Sequence, residues 1–137
     1  MYSISKITQT SDCDVALNWA QKERDILAQK KSIAEKTTLQ LGTTAESIEV
    51  QLQRLPSELA ATELAISLLP DGQLKEAELK RKVRLEYKKF QLESRKESQS
   101  FVALVKKEVQ VQLINKKLKE YDAFIAALNA HRATLPN

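Results

Sequence analysis

Few side chains in this sequence could do chemistry, and they stand at its two ends. Cys13 lies between Asp12 and Asp14, and the single histidine, His131, comes shortly before the last residue. A thiol beside an imidazole pairs a nucleophile with its base, or supplies half of a metal site. The competing reading is structural: Cys13 fits an apolar heptad series, and His131 suits the negative end of a final helix. The structural reading is adopted. A zinc site needs further Cys or His ligands. A carboxylate di-metal bundle needs Glu-x-x-His on two helices, which one histidine does not supply. Phosphate loops and dinucleotide fingerprints need clustered glycines, whereas Gly42 and Gly72 stand alone. The expectation is a non-enzymatic protein with no catalytic residue, metal or cofactor.

Charge offers more. Residues 1–72 hold 7 Lys and Arg against 10 Asp and Glu, while residues 73–137 hold 15 against 8. The first half is acidic and the second basic. Arg81, Arg84, Lys88 and Arg95 fall within about 60° of one another on a helical wheel, flanked by Lys80, Lys82, Lys89 and Lys96. Such a stripe suits a phosphate backbone, with binding that weakens steeply in salt. Glu78, Glu86 and Glu93 interrupt it, and no aromatics are expected beside it for base stacking. A solvated face or a docking surface for an acidic partner is preferred, with nucleic-acid binding as the alternative.

Helices must position these groups. Two glycines, three prolines and 5% aromatic residues in 137 belong to an all-α chain of long helices. No apolar run is long enough to cross a bilayer, and Met1–Lys6 has no signal-peptide core. With one cysteine, Cys13, a cytoplasmic location is expected. Residues 1–10 show no periodicity and read as a flexible tail; residues 11–137 read as one helical domain.

The organising stretch is Pro70-Asp71-Gly72, the one place where three turn-forming residues meet. It separates arm one (11–69) from arm two (73–132), giving a long antiparallel helical hairpin or coiled coil. On arm one, Cys13, Ala20, Leu27, Ala34 and Leu41 recur every seventh residue, beside a second stripe of Trp19, Ile26 and Ile33. Ala45, Ile48, Leu52, Leu55, Leu59, Thr62, Ile66 and Leu69 continue in steps of three and four. Pro56 should kink this helix. Gly42 with a Thr43/Glu46 capping box marks a candidate break.

On arm two, Val83, Phe90, Glu97, Leu104, Val111, Leu118 and Ile125 form one sevenfold series. Tyr87 and Phe101, then Ile114, Tyr121 and Leu128, are its companions. Glu93–Ser100 has no aliphatic residue, and Ser94 with Glu97 is another capping box. Pairing through the turn sets Leu59 by Val83, Leu55 by Tyr87, Leu52 by Phe90 and Leu41 by Phe101. Breaks near Gly42 and Ser94 would fold the chain instead into a compact four-helix bundle. Leu85 and Leu92 lie off the Val83/Phe90 seam and so read, like Trp19/Ile26/Ile33, as a stripe for a second partner. The expected function is a helical scaffold or adaptor acting through protein–protein helix contacts, as a homodimer.

Overall fold

The computed structural model describes residues 2–136. It is all-α, with no strand among the described residues. A 3-10 turn, η1 (Ile4–Lys6), precedes three helices: α1 (Thr10–Leu68), α2 (Gln73–Gln99) and α3 (Phe101–Thr134). Two compact units form, one from Met1–Thr37 with Lys107–Asn137, the other from Thr38–Lys106.

The alternative break near Gly42 does not occur, and arm one is one helix, as the hairpin reading expects. Helix α1 runs through it, and the Thr43 hydroxyl donates back to the Leu39 carbonyl at 3.1 Å instead of capping a new helix. The phase of the seam explains the continuity. Leu41 and Ile48 are seven apart, so the series begun at Cys13 continues through Leu55 to Thr62, buried or half-buried at every member. Arg24, Lys31 and Thr38 occupy half-buried companion positions in that same seam. Thr62 is 2% exposed, and its hydroxyl is satisfied by the Glu58 carbonyl at 2.9 Å. Pro56 stands on an exposed position inside α1, and the helix is continuous through it.

The turn forms where the sequence sets it. Gly72 adopts φ 154°, a conformation that favours glycine, and its carbonyl accepts the Glu76 N–H at 3.0 Å. In the Thr38–Lys106 unit α2 then returns antiparallel to α1. Ion pairs Lys82–Glu63 at 3.6 Å and Lys96–Glu49 at 2.9 Å mark the register.

Arm two breaks, although later than the Ser94 box. Ser100 leaves helical geometry (φ −83°, ψ 175°), and its hydroxyl faces the Ala103 N–H at 3.5 Å as the first turn of α3 begins. In the other unit, α3 packs antiparallel on the first part of α1. Val111 and Leu128 are buried and Ile114, Leu118, Tyr121 and Ile125 half-buried, so the later part of the expected series is realised.

Candidate functional site

Helix α2 departs from expectation, and the departure defines its surface. Val83, Tyr87 and Phe90, assigned to the seam, are 66%, 61% and 64% exposed. Leu92, assigned to an outer stripe, is 4% exposed and forms the core of its unit with Ile48 and Leu55, with Leu52 and Leu85 packed against them. Leu85 and Leu92 are therefore seam residues and not a partner stripe. The seam of α2 is otherwise polar: Lys75, Glu78, Lys82 and Gln99 are its remaining half-buried positions.

The cause is the break at Ser100. A sevenfold series drawn back from Leu104 reaches Phe90 and Val83 only if the helix is continuous. With the phase reset at Ser100, Leu85, Leu92 and Gln99 take the inward positions. The outward face of α2 is then apolar along Leu79, Val83, Tyr87 and Phe90. Lys80 and Arg84 fall along one edge of this stripe and Glu86 and Glu93 along the other.

Arg81, Arg84, Lys88 and Arg95 are all exposed, and none forms an ion pair among the described residues. Arg95 instead donates to Gln99 at 3.2 Å. Beside Phe90, a depression of about 430 Å³ is lined by Lys88, Arg95 and Gln51 among others, so the apolar and basic faces meet there.

On α1, Trp19, Ile26 and Ile33 are exposed, off the seam as expected. Trp19 is not bare. Its ring meets Tyr121 edge-on at 5.9 Å and Phe124 at 6.4 Å, and Tyr2 meets Phe124 at 4.9 Å. Residues 2–9, read as a tail, make side-chain contacts after all. The Tyr2 hydroxyl donates to Glu120, which raises its pKa above the ordinary 10.0, and the His131 ring nitrogen Nε2 donates to the Ile7 carbonyl at 2.7 Å. The lack of periodicity there was a poor guide because one aromatic ring and one carbonyl carry these contacts. The signal was present in the pairing through the turn, which sets Trp19 level with Tyr121 and Phe124.

Between these rings lies a groove of about 590 Å³, with Ile26 and Leu27 as aliphatic walls and Glu23, Lys30, Lys117 and Glu120 as charged ones. Four of the chain's seven aromatic residues line it, which makes it the most aromatic surface of the Met1–Thr37 and Lys107–Asn137 unit. In the same unit, Arg24 pairs with Asp122, and Arg132 grips Asp14 through Nε at 2.6 Å and a second nitrogen at 3.4 Å. Each of these carboxylates holds its arginine in the charged form by a hydrogen bond, pushing the arginine pKa up.

The terminal residues with chemical potential are engaged elsewhere. Cys13 is fully buried in the α1 seam, His131 is committed to Ile7, and Asp14 to Arg132. Among the described residues no group of three His, Cys, Asp or Glu is arranged to hold a metal ion. No helix among them is long and apolar enough to cross a membrane. Comparison with known protein families, curated proteins and solved structures finds no match to this chain.

Proposed function

We propose that this chain is a non-enzymatic helical scaffold or adaptor that works through protein–protein helix contacts, and that it pairs with a second copy of itself through the outward face of α2. The observation that carries the reading is the exposed Val83/Tyr87/Phe90 stripe on a helix whose own seam is largely polar. An exposed apolar stripe rimmed by charge is the surface that helix-in-groove recognition uses.

The edges of the stripe support a second copy as the occupant. One edge is basic (Lys80, Arg84) and the other acidic (Glu86, Glu93). When two such helices pair in parallel about a two-fold axis, the basic edge of each meets the acidic edge of the other. In antiparallel pairing like charges meet, at a cost. On the other unit, the exposed Trp19/Ile26/Ile33 stripe is a second candidate face for a partner helix. A cytoplasmic setting is part of the proposal, resting on Cys13 as the sole and free cysteine.

The test is mass by light scattering at tens of micromolar, with a cross-link to fix orientation. A dimer is expected that Tyr87→Glu with Phe90→Glu converts to monomer. Val83→Cys in a Cys13→Ala background should oxidise to a covalent dimer, because a parallel two-fold sets the position against itself. A monomer throughout, or a dimer that the double substitution leaves intact, rejects this surface.

A second reading has an observation of its own: Arg81, Arg84, Lys88 and Arg95 are exposed and without carboxylate partners among the described residues. A nucleic-acid module using this face would bind duplex or single strands in low salt and lose binding on reversal of the four charges. Absence of binding at low salt, or binding unaffected by reversal, removes it.

A further inference from the structure

We propose that the aromatic groove between α1 and α3 is a binding site for an organic cation with a methylated head, a quaternary ammonium carried on a chain that ends in an anionic group. The inference stands apart from the proposed dimer, since it concerns the Met1–Thr37 and Lys107–Asn137 unit alone.

Size comes first. A groove of about 590 Å³ falls within the range of small-molecule sites, roughly 300–1,000 Å³. Its walls then select the ligand. Trp19, Tyr121, Phe124 and Tyr2 offer π-faces and edges around one end. A cation over an aromatic face is attracted by the ring quadrupole, most strongly by tryptophan, and methylated ammonium heads are the ligands that clustered rings recognise best. A neutral apolar head would be attracted by burial alone.

The charged residues are ordered along the groove. On α1, Trp19, Glu23, Ile26 and Lys30 follow at helical spacing, so Glu23 lies toward the rings and Lys30 two turns beyond, about 10 Å along the axis. On the antiparallel α3, Glu120 precedes Tyr121 and Phe124, and Lys117 lies one turn back toward Lys30. Two carboxylates thus accompany the rings, and two ammonium groups line the other end. Glu120 already accepts the Tyr2 hydroxyl, which fixes one carboxylate and one ring at the cation end. A ligand that is positive at the aromatic end and negative at the lysine end matches every charge in the groove. A cationic chain without the anionic end would meet Lys30 and Lys117 unfavourably, and a purely anionic one would meet Glu23 and Glu120.

Trp19 is the only tryptophan, so its fluorescence reports on the groove directly. The probe is a hexanoate bearing a trimethylammonium head, compared with its carbon isostere, the same hexanoate with a tert-butyl head. The two differ only in the charge of the central atom. Saturable change in Trp19 emission is expected, with the charged probe at least ten-fold tighter than the isostere. Glu23→Gln should weaken the charged probe several-fold and leave the isostere unchanged, while Phe124→Leu should weaken both. Far-UV circular dichroism of each variant establishes that the helices remain. Equal affinity for the two probes overturns the assignment to a cation, and absence of saturable binding by either overturns the site.

Discussion

Leucine 92 decides whether α2 faces the way described. Its side chain fills the space between Ile48 and Leu55 and is 4% exposed, whereas the larger Phe90 side chain, two residues earlier, is 64% exposed. Truncating a buried leucine to alanine costs about 2–5 kcal/mol, depending on how far the surroundings close in. Here the site is bordered by Leu52 and Leu85, which are only partly buried, so water and neighbouring chains can relax into the gap. Leu92→Ala should therefore cost about 2–3 kcal/mol, the lower part of that range.

Phe90→Ala should cost within about 0.5 kcal/mol in the folded monomer, as for other exposed positions. For a chain of this length each kcal/mol moves Tm by about 3–5 °C, which separates the variants by roughly 5–10 °C. Urea and thermal unfolding followed by far-UV circular dichroism measure both. Dilution separates monomer stability from pairing, because a Phe90 effect that grows with protein concentration belongs to the dimer. If Phe90→Ala destabilises the dilute protein as much as Leu92→Ala, α2 is rotated and the aromatic face lies inward.

The two glycines should respond in opposite directions. Gly42→Ala adds a Cβ 3.9 Å from the Leu104 side chain, an ordinary contact inside a continuous helix, and should stabilise by about 0.5–1 kcal/mol in thermal unfolding. Gly72→Ala meets no atom within 4 Å but must hold φ 154°, so the same assay should show a loss of roughly 1–3 kcal/mol from backbone strain alone. Tyr2 should release at high pH. Its pKa is raised by donating to Glu120, so the contact is whole below the ordinary value of 10.0 and is lost as the pH rises through the elevated one. An alkaline titration of the Tyr2 ring resonances by NMR, absent in Tyr2→Phe, checks the direction.

Much of the fold was legible, and the misreading of α2 has one cause. The arms, the turn at Pro70–Gly72 and the seam of α1 follow from spacing, since a buried stripe on a long helix has to repeat every three or four residues. The break near Gly42, the alternative to a continuous arm, rests on a local cap signal that phase outweighs. Thr43 and Glu46 have the residue types of a capping box, yet a helix whose seam stays in register from Leu41 to Ile48 gains burial by continuing. In α2 phase was trusted too far. Phase was carried through Glu93–Ser100, where nothing apolar enforces it, and the real reset at Ser100 reassigned every inward position. The aromatic groove was less legible because its rings come from Tyr2, α1 and α3, and no single periodicity contains all three.

The inversion of α2 has a consequence for how its surface is displayed. Valine, tyrosine and phenylalanine at Val83, Tyr87 and Phe90 would stabilise a seam more than Lys75, Glu78 and Lys82 do, so local hydrophobicity and the observed packing disagree along this helix. Such disagreement is costly, and it is characteristic of positions that serve something other than stability. The Ser100 break is the device that sustains it. Were α2 and α3 one helix, the phase fixed by Leu104 and Val111 would draw Phe90 and Val83 inward and turn Leu85 and Leu92 to solvent. With Ser100 extended, α3 keeps its own seam while α2 presents its aromatic face. The interruption in the second arm, more than the turn that creates it, thus sets which residues α2 turns outward.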